Sequence, residues 1–323
     1  MKEILNEIAG QIRAYDRICI FTHTSPDGDA IGSGGALYLA LKRLGKEVKF
    51  YLEGDLPFRY RYLQEMIEIS KDSQEVVGER YLSICVDCAD DKRLLSLKDM
   101  ALKGEKVVNI DHHITNKEYG HLNYIRPCAA TGEIILDLIS LLGVEIDPSI
   151  ATCIYTAIST DTGNFSYSNV TRQTFLAMAK LMETGFPLHK ISDNIYRNRT
   201  YPATKLIGIG ISHLELKAEG RIAIMHISLA DIQHVGAQSA DCEDLVNYTR
   251  EIDGVEVGIF IREMGKEEYK ISLRSNEYVD VSAIAATWGG GGHSRAAGVK
   301  LLGTLDQVQR VILEACEQAL QRG

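Results

Sequence analysis

The heptapeptide His23-Thr-Ser-Pro-Asp27-Gly-Asp29 sets one imidazole and two carboxylates close together, directly after an apolar run. Three other clusters have the same character. Asp87 closes Tyr81-Leu-Ser-Ile-Cys-Val-Asp87, Asp111-His112-His113 closes Val107-Val-Asn-Ile-Asp111, and Asp161-Thr-Gly follows a fourth apolar segment. Carboxylate and imidazole ligands without thiolate suit manganese, magnesium, zinc or cobalt. Gly28 permits a tight turn between Asp27 and Asp29, so these carboxylates could serve two neighbouring ions, with Asp87 as a bridge. Two divalent ions ~3.5–4 Å apart can activate water and stabilise a phosphoryl oxygen during in-line displacement. Each cluster alone has a plainer reading as a helix cap, a satisfied strand-end histidine or a helix-ending turn. Four such clusters, each at the end of an element, point instead to a binuclear metal site.

The elements that must position these residues alternate. Residues 17–23, 47–52, 81–87 and 106–111 read as strands, and 29–44 reads as a helix with Leu37, Ala40, Leu41 and Leu44 at helical spacing. This alternation predicts a parallel sheet with right-handed crossovers, whose ligands bind outside the C-terminal strand ends. Helices follow at 131–142, at 148–159 behind an Asp147-Pro148 start, and at 171–184. The more polar 188–199 reads, with Thr200-Tyr-Pro202, as part of a linker. Strands at 221–227, 255–261 and 269–274, two of them joined by a hairpin turn around Gly265, and helices at 241–250, 280–287 and 304–321 describe a different second half. The expected fold class is therefore α/β: a parallel-sheet N-terminal domain over 1–185, a helical linker over 186–212, and a smaller mixed α+β C-terminal domain over 213–323.

Composition narrows the function classes. With 323 residues, 45% hydrophobic and 24% charged, the chain is that of a globular protein of two ordinary domains. A net charge of −9 argues against gripping long duplex nucleic acid, though not against a small anion held through metal ions. No apolar run approaches a membrane span. The N-terminus lacks a signal-peptide core, and seven scattered cysteines fit reduced core thiols, so a cytoplasmic location is expected. Cys85 and Cys88 form a lone C-x-x-C inside a strand-like run, which reads as structural. His121, His189, His213, His226 and His234 lie outside any cluster. The segment Trp288-Gly-Gly-Gly-Gly-His293-Ser-Arg295-Ala-Ala-Gly298 brings several backbone N–H groups, an imidazole and a guanidinium together, as phosphate-cradling loops do.

Taken together, the motifs resemble those of the DHH phosphoesterases. Asn-Ile-Asp111-His112-His113 resembles the signature triplet, and His23-x3-Asp27-x-Asp29 with Ala-Ile-Gly32-Ser33 the first motif. Asp87 in Val-Asp-Cys and Asp161 in Thr160-Asp-Thr-Gly163-x-Phe165 resemble the second and fourth. The glycine-rich segment through Gly298 resembles the signature of the DHH-associated C-terminal domain. The resemblance covers nearly the whole chain in order. Length and domain order are most similar to the group of bifunctional oligoribonucleases and pAp phosphatases. RecJ-type exonucleases usually carry further domains, and family II pyrophosphatases end in a different second domain.

The resemblance implies that 1–185 is the catalytic domain and 213–323 a substrate-binding domain. His23 and Asp27 would hold one metal, Asp29, His112 and Asp161 the other, and Asp87 both. His113 would lie beside the substrate phosphate, and Asp111 would orient the histidines. Manganese is the expected metal, with magnesium, cobalt or zinc as substitutes. Arg274, Ser275, Gly291, Gly292, His293 and Arg295 would bind substrate. The expected activity is hydrolysis of short oligoribonucleotides to mononucleotides and removal of the 3′-phosphate of pAp. The expectation includes no long duplex and no membrane, and it leaves room for a homodimer. The rival readings are a phosphodiesterase of linear or cyclic dinucleotide messengers, a single-strand exonuclease, and, in another class, a nucleotide-binding sensor.

Overall fold

Strand and helix alternate through the first half of the structure, a computed structural model that describes residues 2–70, 80–242 and 244–321. The order is α1 (Lys2–Ala14), β1 (Arg17–Phe21), α2 (Gly28–Arg43), β2 (Glu47–Tyr51), β3 (Ile69–Ser70), β4 (Leu82–Val86), α3 (Lys98–Leu102), β5 (Lys106–Asp111) and β6 (Leu122–Ile125). Helices α4 (Thr131–Leu142), α5 (Pro148–Asp161), α6 (Arg172–Met182) and α7 (Leu188–Tyr196) follow. The strands form one sheet in the order β3-β2-β1-β4-β5-β6, with every neighbouring pair parallel. Strand β4 is buried at every residue and β5 at all but its first, as expected of strands covered on both faces. The chain order reverses between β1 and β4, and ligands of open α/β sheets bind outside the strand ends at such a reversal. His23 and Asp87 lie just past those two strands, and Asp111 ends β5.

Close helix packing aligns the remaining site residues. A Cβ on Gly32 of α2 would stand 2.4 Å from the Cys153 carbonyl oxygen of α5, and one on Gly28 would stand 2.3 Å from Thr160 Oγ1. Only glycine fits there, and the contact brings Asp27-Gly28-Asp29 alongside Thr160-Asp161. Helix α5 begins at the expected Asp147-Pro148 cap, where Asp147 accepts from the Ser149 and Ile150 N–H groups, and runs on to Asp161. Some elements were not expected from the sequence, α1 and β6 among them. In α1, Ile8, Ala9 and Ile12 are fully buried, and β6 pairs with β5 at the sheet edge.

The chain divides into two units, Met1–Asn198 and Arg199–Gly323. The segment expected to link them is shared out. Helix α7 buries Ile191 and Ile195 in the first core, while α8 (Tyr201–Ser212) buries Leu206 in the second unit. The second unit continues through β7 (Glu215–Lys217), β8 (Ile222–Ile227), α9 (Leu229–Val235), α10 (Leu245–Arg250), β9 (Val257–Gly265), β10 (Glu268–Ser275), α11 (Val281–Ala286), β11 (Gly291–His293), β12 (Ala296–Leu302) and α12 (Leu305–Leu320). Glu243, within the helix expected over 241–250, lies outside the described residues. The sheet order is β11-β12-β10-β9-β8-β7, with only β8 and β9 parallel among its pairs. Side-chain alternation on β8 builds both faces: Ile222 and Ile224 pack with Ile312 and Cys316 of α12, Met225 and Ile227 with Leu206 and Leu245.

The expected β9–β10 hairpin is present. The glycine-rich segment is a second hairpin, β11 with β12, rather than an open loop. Cys85 and Cys88 are fully buried free thiols, pushed up by burial to about 12 and about 11, which suits core residues rather than a redox pair. His213 and His226, expected to stand apart, stack with ring centroids 4.5 Å from each other. No helix among the described residues is long and apolar enough to cross a membrane.

Candidate metal centre

Each strand end delivers its ligands through a defined local structure. Asp27 caps α2 by accepting from the Ala30 N–H at 3.0 Å, and its carboxylate is exposed. Asp29, in the first turn of α2, is buried. Its Oδ1 accepts from Ser33 Oγ at 2.7 Å and from the Gly132 N–H at 3.0 Å, and its Oδ2 accepts from the Thr131 N–H at 2.6 Å. Ala130 provides no side-chain cap for α4, so Asp29 satisfies the orphan donors at that helix start from across the fold.

Asp87 adopts φ +56°, a left-handed conformation costly for a residue with a Cβ. Its N–H donates to the Ile110 carbonyl at 2.9 Å, and Thr131 Oγ1 donates to its Oδ1 at 2.9 Å. Asp111 is fully buried and fixes both histidines. Its Oδ1 accepts from His113 Nδ1 at 2.7 Å and from the His112 N–H at 2.8 Å, while Asn116 Nδ2 donates to its Oδ2 at 2.5 Å. His112 directs Nδ1 to the Cys128 carbonyl at 3.1 Å, which turns Nε2 toward the carboxylates.

The four clusters meet. His23 Nε2 lies 3.6 Å from Asp87 Oδ2 and 3.9 Å from Asp27 Oδ1. His112 Nε2 lies 3.4 Å from Asp161 Oδ2, 3.7 Å from Asp87 Oδ1 and 3.8 Å from Asp29 Oδ2. In three sets the ligand atoms lie within 4.8 Å of one another: His23, Asp27 and Asp87; Asp29, His112 and Asp161; Asp87, Asp111, His112 and His113. The centre is thus an arrangement of oxygen and imidazole donors around a shared, buried Asp87.

The electrostatics of this donor set fit divalent cations. Burial, joined by the Asp27 and Asp87 charges and only partly offset by His112, pushes Asp161 up to about 7. Burial and the Asp87 charge hold Asp29 well above the usual carboxylate range, although it accepts three hydrogen bonds. Burial alone would lower His112, but Asp29, Asp161 and Asp87 outweigh it and raise the imidazole to about 10. Burial also opposes charge on Asp87, yet the His23 imidazole at 3.6 Å and the His112 and His113 imidazoles keep it below the usual range. The chain's own cations therefore do not keep all these carboxylates ionised near neutrality. A doubly charged ion at each set would.

In the second unit, Arg274 of β10 and His293 of β11 both stand opposite Ala296 of β12. Residues opposite one another share a face, so the two side chains lie on one side of the sheet, two strand spacings or about 10 Å apart. Gly292, at φ +145°, brings its backbone so near β12 that a Cβ would stand 2.3 Å from the Ala296 carbonyl oxygen. Gly291 is exposed beside it. Ser275 and Arg295 are committed to main-chain carbonyls. Ser275 Oγ donates to Val279 at 2.6 Å, and the Arg295 guanidinium donates to Val279 at 2.8 Å and also to Glu277.

Comparison with known proteins agrees in family. Residues 17–158 match the model of the DHH family, N-terminal domain, and residues 221–322 match the DHHA1 domain. Over 323 residues the chain is 37% identical to the bifunctional oligoribonuclease and PAP phosphatase NrnA of Thermus thermophilus, covering 99% of this chain and 93% of that protein. The chain belongs to the DHH phosphoesterase family. Its fold matches an exopolyphosphatase-related protein from Bacteroides fragilis with a TM-score of 0.91, at 26% identity and over 98% of this chain and 96% of that one. RecJ of Thermus thermophilus in complex with Mn2+ shares the fold at a TM-score of 0.57 and 14% identity, over 99% of this chain and 55% of that one. Asp161 lies beyond the segment matched to the DHH model, so its position in the centre rests on the packing of α5 against α2.

Sequence reasoning missed several residues of the centre. Thr131 donates to Asp87 and Asp29, Asn116 fixes Asp111, and Asn169 Nδ2 donates to the Asp161 carbonyl at 3.0 Å. Arg93, on the 3-10 segment Asp91–Leu97, reaches His23. The one usable signal was Ala130, a poor cap before a strongly apolar helix, which implies that donors at the start of α4 find an acceptor elsewhere.

Proposed function

We propose that this DHH phosphoesterase hydrolyses short oligoribonucleotides to mononucleotides and removes the 3′-phosphate of pAp. The observation that carries the reading is the convergence of His23, Asp27 and Asp87 with Asp29, His112 and Asp161 around one buried carboxylate. In this reading those residues hold two divalent ions, manganese by preference with magnesium, cobalt or zinc as substitutes, and Asp87 serves both. When bound, the ions supply an activated water and positive charge for the phosphoryl oxygens.

The chain's own groups do the rest. Asp87 presents Oδ2 to the His23 side and Oδ1 to the His112 side, and Thr131 fixes that division. Asp111 engages Nδ1 of His113, which leaves Nε2 as the ring atom that can face a substrate oxygen. The Asp111 and Asp87 charges overcome burial and raise the His113 pKa, so a proton at Nε2 can be handed to the departing oxygen. Asp111 is then a positioning residue. In the second unit, Arg274 and His293 would grip a terminal phosphate over the backbone of Gly291 and Gly292, while Ser275 and Arg295 shape the adjoining turn.

The test is product analysis with manganese on a 5′-phosphorylated RNA dinucleotide, a longer RNA, pAp, a cyclic dinucleotide and pyrophosphate, with Asp87→Asn as control. Mononucleotides released fastest from the dinucleotide, with phosphate from pAp and no turnover by Asp87→Asn, support the proposal. Turnover of the cyclic dinucleotide alone would replace it with messenger hydrolysis, and manganese binding without turnover of any substrate with a nucleotide-binding sensor.

A further inference from the structure

Arg93 is a cation at the metal centre that neither the motifs nor the ligand sets include. Its main chain ties it to the loop that carries His23: the Thr24 N–H donates to the Arg93 carbonyl at 2.7 Å, and the Arg93 N–H donates to the Asp90 carbonyl at 3.0 Å. The next residue, Leu94, is fully buried among Cys85, Cys88 and Leu97, which anchors the segment from below. Leu95 then takes φ +45° and ψ −117°, a conformation that a side chain with a Cβ rarely adopts, while being largely exposed itself. Backbone strain of this kind persists where the surrounding structure over-determines it, as at ligand-holding segments. Arg93, two residues earlier, is half-buried and reaches His23.

The guanidinium contact is unusual. Arg93 Nη2 lies 2.9 Å from His23 Nδ1, and the same ring nitrogen lies 2.8 Å from the Thr24 carbonyl. With Nε2 turned to a metal ion, the ring hydrogen sits on Nδ1 and is donated to that carbonyl, so Nδ1 has no lone pair for a guanidinium. The opposite ring atom, Nε2, faces Asp87 and Asp27. No carboxylate pairs with Arg93 among the described residues. Its five donors thus meet neither a good acceptor nor an opposite charge, at the rim of a site whose reading requires a phosphoryl group.

We infer that Arg93 binds a non-bridging oxygen of the substrate phosphate on the His23 side of the centre. The inference rests on the phosphoesterase reading for its substrate, but its test does not need turnover. A planar fork of N–H groups matches phosphate oxygens, and a charge-assisted hydrogen bond of this kind is worth about tenfold to a hundredfold in affinity.

Manganese and inorganic phosphate are the probes. Calorimetry on manganese-loaded wild type, Arg93→Gln and Arg93→Lys would measure phosphate affinity, and a manganese titration of each variant would measure metal affinity. The expected result is phosphate affinity about tenfold to a hundredfold weaker in Arg93→Gln, partly recovered in Arg93→Lys, with manganese affinity within about twofold of wild type. With the RNA dinucleotide, KM and the inhibition constant for phosphate should rise together. Unchanged phosphate affinity in Arg93→Gln overturns the inference. So does a parallel loss of manganese affinity, which would make Arg93 a support for His23. If wild type turns over no phosphoester yet binds phosphate through Arg93, the proposed function fails and the inference stands.

Discussion

Replacing Thr131 with valine removes one hydroxyl from the centre and almost nothing else. The side chain is fully buried, valine has the same branched shape, and the Thr131 N–H that serves Asp29 remains in place. What disappears is the 2.9 Å hydrogen bond to Asp87 Oδ1. Hydrogen bonds to a charged acceptor contribute about 1.5–3 kcal/mol, and outer partners of metal-ligating carboxylates usually change metal affinity by about tenfold to a hundredfold. Asp87 is where such a loss should be felt most, because its two oxygens must face different imidazoles. Without Thr131, the groups left to orient Oδ1 are His112 and His113, at 3.7 and 3.6 Å. The variant should therefore bind manganese about tenfold to a hundredfold more weakly by calorimetric titration. Turnover should recover substantially when manganese is raised to saturation, and Thr131→Ser should behave nearly as wild type. A Thr131→Val protein with wild-type manganese affinity would show that the orientation of Asp87 does not depend on this contact.

Three further outcomes follow from the same geometry. Asp161 titrates near 7 when folded against about 4 when unfolded, and His112 near 10 against about 6.5, so in both cases the folded chain holds protons that the unfolded chain has released. Without metal, stability should fall as the pH rises from about 5 to about 9, and stabilisation by manganese should grow over the same range; a flat or rising melting temperature in chelator would contradict the charge accounting. Gly28→Ala should destabilise by about 1–3 kcal/mol and weaken manganese binding, because its Cβ meets Thr160, whereas Gly10→Ala, which meets nothing within 4 Å, should be neutral or mildly stabilising; equal melting curves for the two variants would refute the packing argument. Arg274→Gln and His293→Ala should raise KM for a 5′-phosphorylated dinucleotide without slowing a small synthetic phosphodiester; equal losses on both substrates would place these residues elsewhere in the mechanism.

What could be read from the sequence, and what could not, follows from how parallel sheets place function. A buried parallel strand is a short apolar run, and the residue that leaves its C-terminal end is exposed to the ligand crevice, so a polar residue ending such a run marks itself. This is why His23, Asp87 and Asp111 were visible one strand at a time, and why the α/β class was too. Asp161 needed more, since it ends a helix, and only the glycine-mediated approach of α2 to α5 brings it to His112. Thr131, Asn116 and Arg93 carry no such mark. A threonine opening a helix, an asparagine in a turn and an arginine on a polar segment each have an ordinary local explanation, and their partners lie far away in sequence. The glycine-rich segment reads from sequence as a phosphate-cradling loop, and the pairing that makes it a hairpin lies in Ala296–Leu302, whose short alternation was absorbed into the motif. Helix α8 falls within the helical linker expected over 186–212, and its buried face is narrow: Ala203, Leu206 and Gly210.

The strain at Asp87 completes the argument for a preorganised centre. A left-handed aspartate is tolerated here because its N–H is held by the Ile110 carbonyl of β5 and its carboxylate by Thr131 of α4, so two separate elements fix one residue. Asp29 is fixed likewise, by Ser33 within α2 and by the start of α4. Helix α4 thus holds the shared carboxylate with a side chain and its neighbour with two backbone N–H groups. That arrangement ties a carboxylate of each ligand set to the same helix start. A centre built this way spends little on reorganisation when ions enter, and the cost appears instead as protons held by Asp161, Asp29 and His112 until the ions displace them. Proton release on manganese binding, measured as the dependence of calorimetric enthalpy on buffer ionisation, should therefore be substantial near pH 7. Binding without proton release would mean that the carboxylates are already ionised and that some cation other than the metal balances them.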